Sequence, residues 1–275
     1  HQFVEAKEEL EMTSPTETLA RLSFQRFFRF FDRLSGMTGT ARESAQELWD
    51  IYELSVLEIP ENRPCIREIY RPRAFADEES KWCAIVAEIE RLHARGRPLL
   101  VGTRSVKASE NLARHLEDVK LSYQLLNAVK HGEEATIIAM AGQHGSITIA
   151  TNMAGRGTDI RLGKGVAELG GLHVIASECH ESKRIDRQLF GRSGRQGDPG
   201  SAQLFISMED ELIRRYVPKS VRLIVKRQLS LKLPGARRAA MAAVRMAQET
   251  AQRVAYKQRR SVLRMDTWLE DSLSF

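Results

Sequence analysis

The chain has 275 residues, 42% of them apolar and 7% aromatic, with 42 Lys/Arg against 36 Asp/Glu for a net charge of +6. That apolar share excludes a mainly disordered chain, and no stretch approaches the ~20 consecutive apolar residues a membrane-spanning helix needs. Cys65, Cys83 and Cys179 are widely spaced and offer neither a disulfide framework nor paired metal-ligand spacing, so a reducing compartment is expected.

In chain order, residues 16–34 place Leu19, Leu22, Phe24, Phe27, Phe28, Phe30, Phe31 and Leu34 at helical spacing. This predicts a buried helix ending at Ser35-Gly36. Asp77 is the expected N-cap of a second helix that runs to His93 and stops at Gly96. Leu99–Thr103 then reads as a short buried strand, and 147–151, 172–176 and 202–206 repeat the pattern. Helical patterns at 106–117, 132–141 and around 182–190 separate these runs. Strand and helix alternate, which predicts an α/β domain with a parallel sheet covered on both faces.

After Met208 the pattern changes. Residues 218–232 read as one helix, Pro234-Gly235 breaks it, and 236–265 contains no Pro or Gly. A ~30-residue helix would be ~45 Å long, which suits a strut rather than a cover for one domain. Its apolar stripe (Met241, Val244, Ala251, Val254, Val262) is expected to stay partly exposed or to pair with another copy. Residues 211–264 hold fifteen Lys/Arg and two acids, net +13, so a mildly acidic body carries a strongly basic tail. Such a tail suits nucleic acid or an anionic membrane surface, or is a solvated helix face.

Two strings carry chemistry. Gly155-Arg156-Gly157-Thr158-Asp159 follows a strand, where ligands of parallel sheets bind. The glycines admit an anion close to the backbone, Arg156 adds a charged fork, and Asp159 is placed to accept from ribose hydroxyls or metal-bound water. Gln188-Leu189-Phe190-Gly191-Arg192-Ser193-Gly194-Arg195-Gln196-Gly197-Asp198 is the stronger string. Arg192 and Arg195, three apart, would point the same way in a helical turn and suit a phosphate whose charge grows during transfer. A weaker string, Gly36-Met37-Thr38-Gly39-Thr40-Ala41, is a small-residue turn with hydroxyls. No G-x-x-x-x-G-K-[S/T] phosphate loop occurs, so the chain holds the arginine side of a nucleotide cleft without the side that grips the phosphates. Adjacent Cys179 and His180 cannot face one another as a nucleophile pair. His93, His115 and His144 lack metal-ligand partners in sequence, and Trp49, Trp82 and Trp268 are too scattered for a base-stacking platform.

Asn152–Ile160, Gly170–Ile175, His180–Ser182, Arg184–Asp186, Gln188-Leu189, Gly191–Gly200 and Ser207–Asp210 together closely resemble the SecA family, the ATP-driven motors of bacterial preprotein export. Leu34–Ala41 and Val101–Thr103 extend the match across roughly residues 16–265. The resemblance implies two RecA-like motor domains with ATP between them. Residues 1–45 would be the end of the first and its connection, 46–212 the second, and 213–275 a helical scaffold segment. It further implies that Asp159, with Gly155, Gly157 and Gln196, contacts the nucleotide, that Arg156, Arg192 and Arg195 act as arginine fingers, and that Gln196 couples nucleotide state to domain closure. Thr38, Gly39, Thr40 and Gln188 would transmit that state between the motor domains. Phe190 and Cys179 stand where the family usually carries Arg.

ATP and Mg2+ are the implied cofactors, with most ligands and the phosphate loop in the preceding motor domain. No protein metal site is expected, and this chain alone is expected not to hydrolyse ATP. The implied partners are that motor domain, a SecYEG-type channel, unfolded preproteins, anionic lipids and a second copy of the chain. The implied location is cytoplasmic, on the inner face of the plasma membrane. The chain opens at His1 rather than Met, which suggests a piece of a longer protein. The family would continue beyond the scaffold helix into a wing domain, a two-helix finger and often a cysteine-rich tail. A nucleic-acid helicase of the same superfamily and a non-catalytic interaction module are the competing readings.

Overall fold

Burial along the whole of Leu99–Thr103 and Leu172–Ala176 fixes the centre of a parallel sheet. The computed structural model describes residues 7, 23–126, 137–151 and 158–273. The chain begins with α1 (Phe24–Arg29), a 3-10 turn (Arg42–Ser44) and α2 (Ala45–Tyr52). Next come β1 (Glu68–Ile69), β2 (Arg73–Phe75), α3 (Glu78–His93), β3 (Leu99–Thr103), α4 (Val106–Asp118), β4 (Gln124–Leu126), β5 (Ile147–Thr151) and β6 (Leu172–Ala176). They are followed by α5 (Lys183–Phe190), β7 (Gly200–Ser207), α6 (Glu211–Tyr216), α7 (Lys219–Ser230) and α8 (Ala236–Leu273). The strand order is β1-β7-β6-β3-β5-β4, with β2 also on β7, and every described pairing is parallel.

Alternate residues of each central strand serve opposite faces, as the two-residue strand period requires. Leu99, Val101, Ile147, Ile149, Ile175 and Phe205 pack under α3 and α4 with Trp82, Ile85, Ile89, Leu112 and Leu116. Leu100, Ala150, Val174, Ala176, Leu204 and Ile206 pack on the other face under α5 to α8. The expected α/β body with both faces covered is therefore present. Asp77 caps α3 by accepting from the Ser80 amide at 2.8 Å. Lys81 of α3 is 1% exposed and donates to Asp210 Oδ1 at 2.6 Å. Burial outweighs that charge and pushes the Asp210 carboxyl above its ordinary value.

Three expectations are corrected. The aromatic stretch predicted as a buried helix over 16–34 forms, within the described residues, only α1, which stops at Arg29. Its Phe24 is 79% and Phe30 62% exposed, because no layer of the described residues covers that face. The C-terminal helix reaches Leu273 without a break, longer than expected. Its first half is no free strut, because Ala240, Ala243, Val244, Ala247 and Ala251 are sealed against the sheet's second face. Alanines let the backbones approach closely there. Val254 and Val262, on the same stripe, stay exposed as expected. The predicted helix at 132–141 is described only in part, and residues 137–140 are helical.

Candidate functional site

Helix α5 is seated on the sheet by one small residue. A Cβ at Gly102 of β3 would lie 2.4 Å from Leu189 Cδ2, so the glycine lets Leu189 close over the strand. Ser182 opens α5 by accepting from the Arg184 amide, and the helix ends at Phe190 with Gly191 as its cap. The chain then turns with Gly194 at φ +61°, Gln196 at +55° and Gly197 at +81°. These left-handed positions correct one expectation: Arg192 and Arg195 do not share a helical turn. The loop nevertheless brings them together. Arg192 Nη1 donates to the Thr158 carbonyl at 3.1 Å, and Arg195 Nη1 donates to Asp159 Oδ1 at 2.6 Å. Arg195 Nε also donates to the Gly191 carbonyl at 2.8 Å, which fixes the plane of its guanidinium.

Two guanidinia thus stand beside one carboxylate, which Arg195 contacts, while Arg192 meets the neighbouring Thr158 carbonyl. Burial first, and Arg195 second, pull the Arg192 pKa below its ordinary value, while Asp159 opposes them. The imbalance leaves a positive place suited to an anion that can accept from planar donors. It faces a cleft of about 1310 Å³, lined also by Thr38, Gly39, Thr40, Gln188 and Gln196. Gln188 Nε2 donates to Thr40 Oγ1 at 3.3 Å, and the Thr40 amide donates to Thr38 Oγ1 at 3.3 Å. Arg187 pairs with Glu43 beside them. The structure therefore brings Asp159, Arg192, Arg195, Gln196, Gln188 and the Thr38–Thr40 turn to one cleft. Gly155, Arg156 and Gly157 lie outside the described residues.

Sequence reasoning missed what holds the loop from the far side. Arg67 Nη1 donates to the Ser193 carbonyl at 2.9 Å, and Arg63 Nη1 to the Gln196 carbonyl at 3.3 Å. A Cβ at Gly194 would come within 2.6 Å of Arg67 Cβ, so that glycine serves both its positive φ and this close approach. These partners are 126 and 133 residues apart, and no local pattern announces them. Burial and the carboxylates of Asp186, Asp210 and Glu178 push the Cys179 thiol well above its ordinary value, and the His180 ring bonds Asp186 instead. A Cys–His nucleophile is thereby excluded. Among the described residues no group of three or more His, Cys, Asp or Glu is placed to hold a metal ion. The cleft's donors therefore fit the phosphates of a nucleotide, but the described side chains do not fit its magnesium.

Comparison with known proteins gives one consistent set of similarities. The SecA P-loop domain family matches residues 64–167 and 164–232, and the SecA DEAD-like domain family matches residues 1–49. The chain is 50% identical over 275 residues to protein translocase subunit SecA 2 of Chlorobium chlorochromatii, covering all of this chain and 42% of that protein. It is 54% identical over 216 residues to protein translocase subunit SecA of Chlorobium phaeobacteroides, covering 78% of this chain and 21% of that one. Among solved structures, the E. coli DEAD-box protein SrmB bound to regulator of ribonuclease activity A is 22% identical, with a TM-score of 0.44 over 55% of this chain and 82% of that one. The chain spans about two fifths or less of the length of these curated relatives.

Proposed function

Because the chain belongs to the SecA family, we propose that it is the second motor domain and scaffold segment of an ATP-driven preprotein motor. Residues 1–45 close the first motor domain, 46–212 form the second, and 213–275 form the scaffold. The observation that carries this reading is the convergence of Arg192 and Arg195 on Thr158-Asp159 at the mouth of the cleft. Magnesium, when bound, supplies charge neutralisation on the phosphates, and its ligands belong to the preceding motor domain.

This chain's residues act on the γ-phosphoryl group and on the ribose side. Arg195 pairs with Asp159. An arriving triphosphate competes for Arg195 and releases Asp159 to accept from a ribose hydroxyl. Arg192, half-buried and repelled by Arg195, gains most when negative charge spreads over the γ-phosphoryl oxygens in the transition state. Arg156 shares that task. Gln196 and the Gln188–Thr40–Thr38 chain carry the resulting loop position towards the first motor domain. The work is spent on unfolded preproteins at a SecYEG-type channel, from the cytoplasmic face of the membrane. Anionic lipids meet the basic tail, and a second copy of the chain completes the partners.

Steady-state kinetics of the full-length protein test the assignment. Arg192→Ala lowers kcat by about a hundredfold or more, less than the ~10³–10⁵ of a lone arginine finger because Arg156 and Arg195 share the task, and leaves KM for ATP close to wild type. Arg192→Lys recovers little, since an ammonium lacks the two-pronged contact. Asp159→Ala raises KM instead. The isolated chain turns over ATP negligibly, because arginines cannot replace the phosphate loop. A change confined to KM in Arg192→Ala, or motor-like turnover by the isolated chain, would overturn this reading.

A further inference from the structure

The first half of α8 presents alanines to the body of the domain at positions 240, 243, 247 and 251, each at most 2% exposed. One polar residue, Gln248, is sealed into that seam at 4% exposure. Both of its amide hydrogens are used. Nε2 donates to the His180 carbonyl at 2.9 Å and to Asp186 Oδ2 at 2.7 Å. The other oxygen of Asp186 accepts from the His180 amide at 2.9 Å and from His180 Nδ1 at 2.6 Å. Asp186, His180 and Gln248 therefore form one hydrogen-bonded network, in which His180 and Gln248 are buried and Asp186 is partly buried. One turn along α8, Gln252 donates to Ser182, the N-cap of α5, at 3.3 Å.

Asp186 lies in α5, six residues before Arg192. On the other side of the same helix, Gln188 and Arg187 hold Thr40 and Glu43. A seam of alanines alone lets a helix slide or rotate with little loss, whereas a single buried amide with two directional partners admits one register.

We propose that Gln248 is a positioning residue for the finger pair: through Asp186 it locks the register of α8 to α5, so that the long helix sets where Arg192 and Arg195 stand. This rests on the arginine-finger reading of the cleft. Gln248 touches no nucleotide and acts only through α5. A displacement of α8, whose Val254 and Val262 are exposed, is thereby passed to the finger loop, and the reverse holds as well.

The experiment uses the full-length protein with four variants: Gln248→Leu, which keeps the volume and removes the donors, Asp186→Asn, the two combined, and Ala247→Gly in the same seam. Gln248→Leu lowers kcat by about tenfold, as expected for the loss of hydrogen bonds to a charged group, with KM for ATP within about twofold of wild type. Asp186→Asn does the same, and the double variant is no slower than the worse single one, because both remove one network. Hydrogen exchange of the amides at 183–190 speeds up in Gln248→Leu. Ala247→Gly lowers Tm but keeps kcat and the exchange of α5, which separates positioning from general loosening. Additive losses, a wild-type kcat in Gln248→Leu, or a loss of kcat in Ala247→Gly that tracks Tm would each overturn the proposal. If Arg192→Ala left kcat unchanged the finger reading would fall first, and unaltered exchange at 183–190 in Gln248→Leu would then remove the lock on its own account.

Discussion

Helices α3 and α1 both carry apolar side chains at helical spacing, and they end in opposite environments. In α3, Trp82, Ile85, Val86, Ile89 and Leu92 close over the sheet, and a buried Lys81 reaches across to Asp210. In α1 no residue is buried, and Phe24, Phe27, Phe28, Phe30 and Phe31 around it stand at 39–79% exposure. Phe27 meets Phe28 and Phe31 edge-on, and Phe28 meets Tyr52 of α2, so the rings cluster with each other rather than with a core. Periodicity reports which face of a helix is apolar. It does not report whether a layer lies beneath that face, because the layer is built by residues far away in sequence.

Stability measurements on the purified chain sharpen this contrast. Trp82→Ala removes a side chain 1% exposed and costs about 3–5 kcal/mol of unfolding free energy by denaturant titration. Phe24→Ala, at 79% exposure, costs within about 0.5 kcal/mol. Equal costs would break the comparison.

The same distinction decides what was legible in the sequence. Strands β3, β5 and β6 begin and end as read, because a buried parallel strand is a continuous apolar run whose signal is entirely local. The Asp77 cap and the break at Pro234-Gly235 are local too. Arg192, Arg195 and Asp159 were legible as chemistry, since planar donors beside glycines mean much the same in any fold. Their geometry was not. The helical spacing expected of the two arginines gave way to left-handed Gly194 and Gln196, and their braces at Arg63 and Arg67 come from the segment that precedes the edge strand β1. The lock of Gln248 on Asp186 and the pairing of Lys81 with Asp210 likewise span 62 and 129 residues. Composition marks such groups as surface polar residues, and only the assembled layers show them buried.

Burial reaches the charges as well as the rings. His173 in β6 is fully buried, with Nδ1 on Ser201 Oγ at 2.6 Å. Burial first and Arg97 second pull its pKa from 6.5 to about 3, with Glu88 opposing and Arg91 assisting. The fold therefore holds the neutral ring, so the stability it confers is complete above pH 6.5 and is lost as pH falls towards 3. Between pH 7 and pH 5 this removes about 2 kcal/mol, read as the pH-dependent difference between wild type and His173→Asn in chemical denaturation. Glu178 slopes the other way. Burial raises it to about 6, so its contribution is present at low pH and fades as pH rises through 6. It is common to both proteins and cancels from their difference. Parallel pH profiles for the two would show that water reaches His173 after all.

The smallest effect tests the contrast inside a single helix. Val244 and Val262 lie on the stripe of α8 that the sequence treats as one face, yet Val244 is 2% exposed and Val262 42%. Val244→Ala deletes two buried carbons at about 0.8 kcal/mol each, softened by the better helix propensity of alanine, for a net cost of about 1–2 kcal/mol. Val262→Ala loses little burial and gains that propensity, so its unfolding free energy stays within about 0.5 kcal/mol of wild type. The paired measurement is denaturant unfolding of the isolated chain at several protein concentrations. A cost at Val262 that matched Val244 and grew with concentration would mean that a second copy covers the distal half of α8 in solution. The exposed half would then be an interface, and its difference from the sealed half would be one of partner rather than of burial.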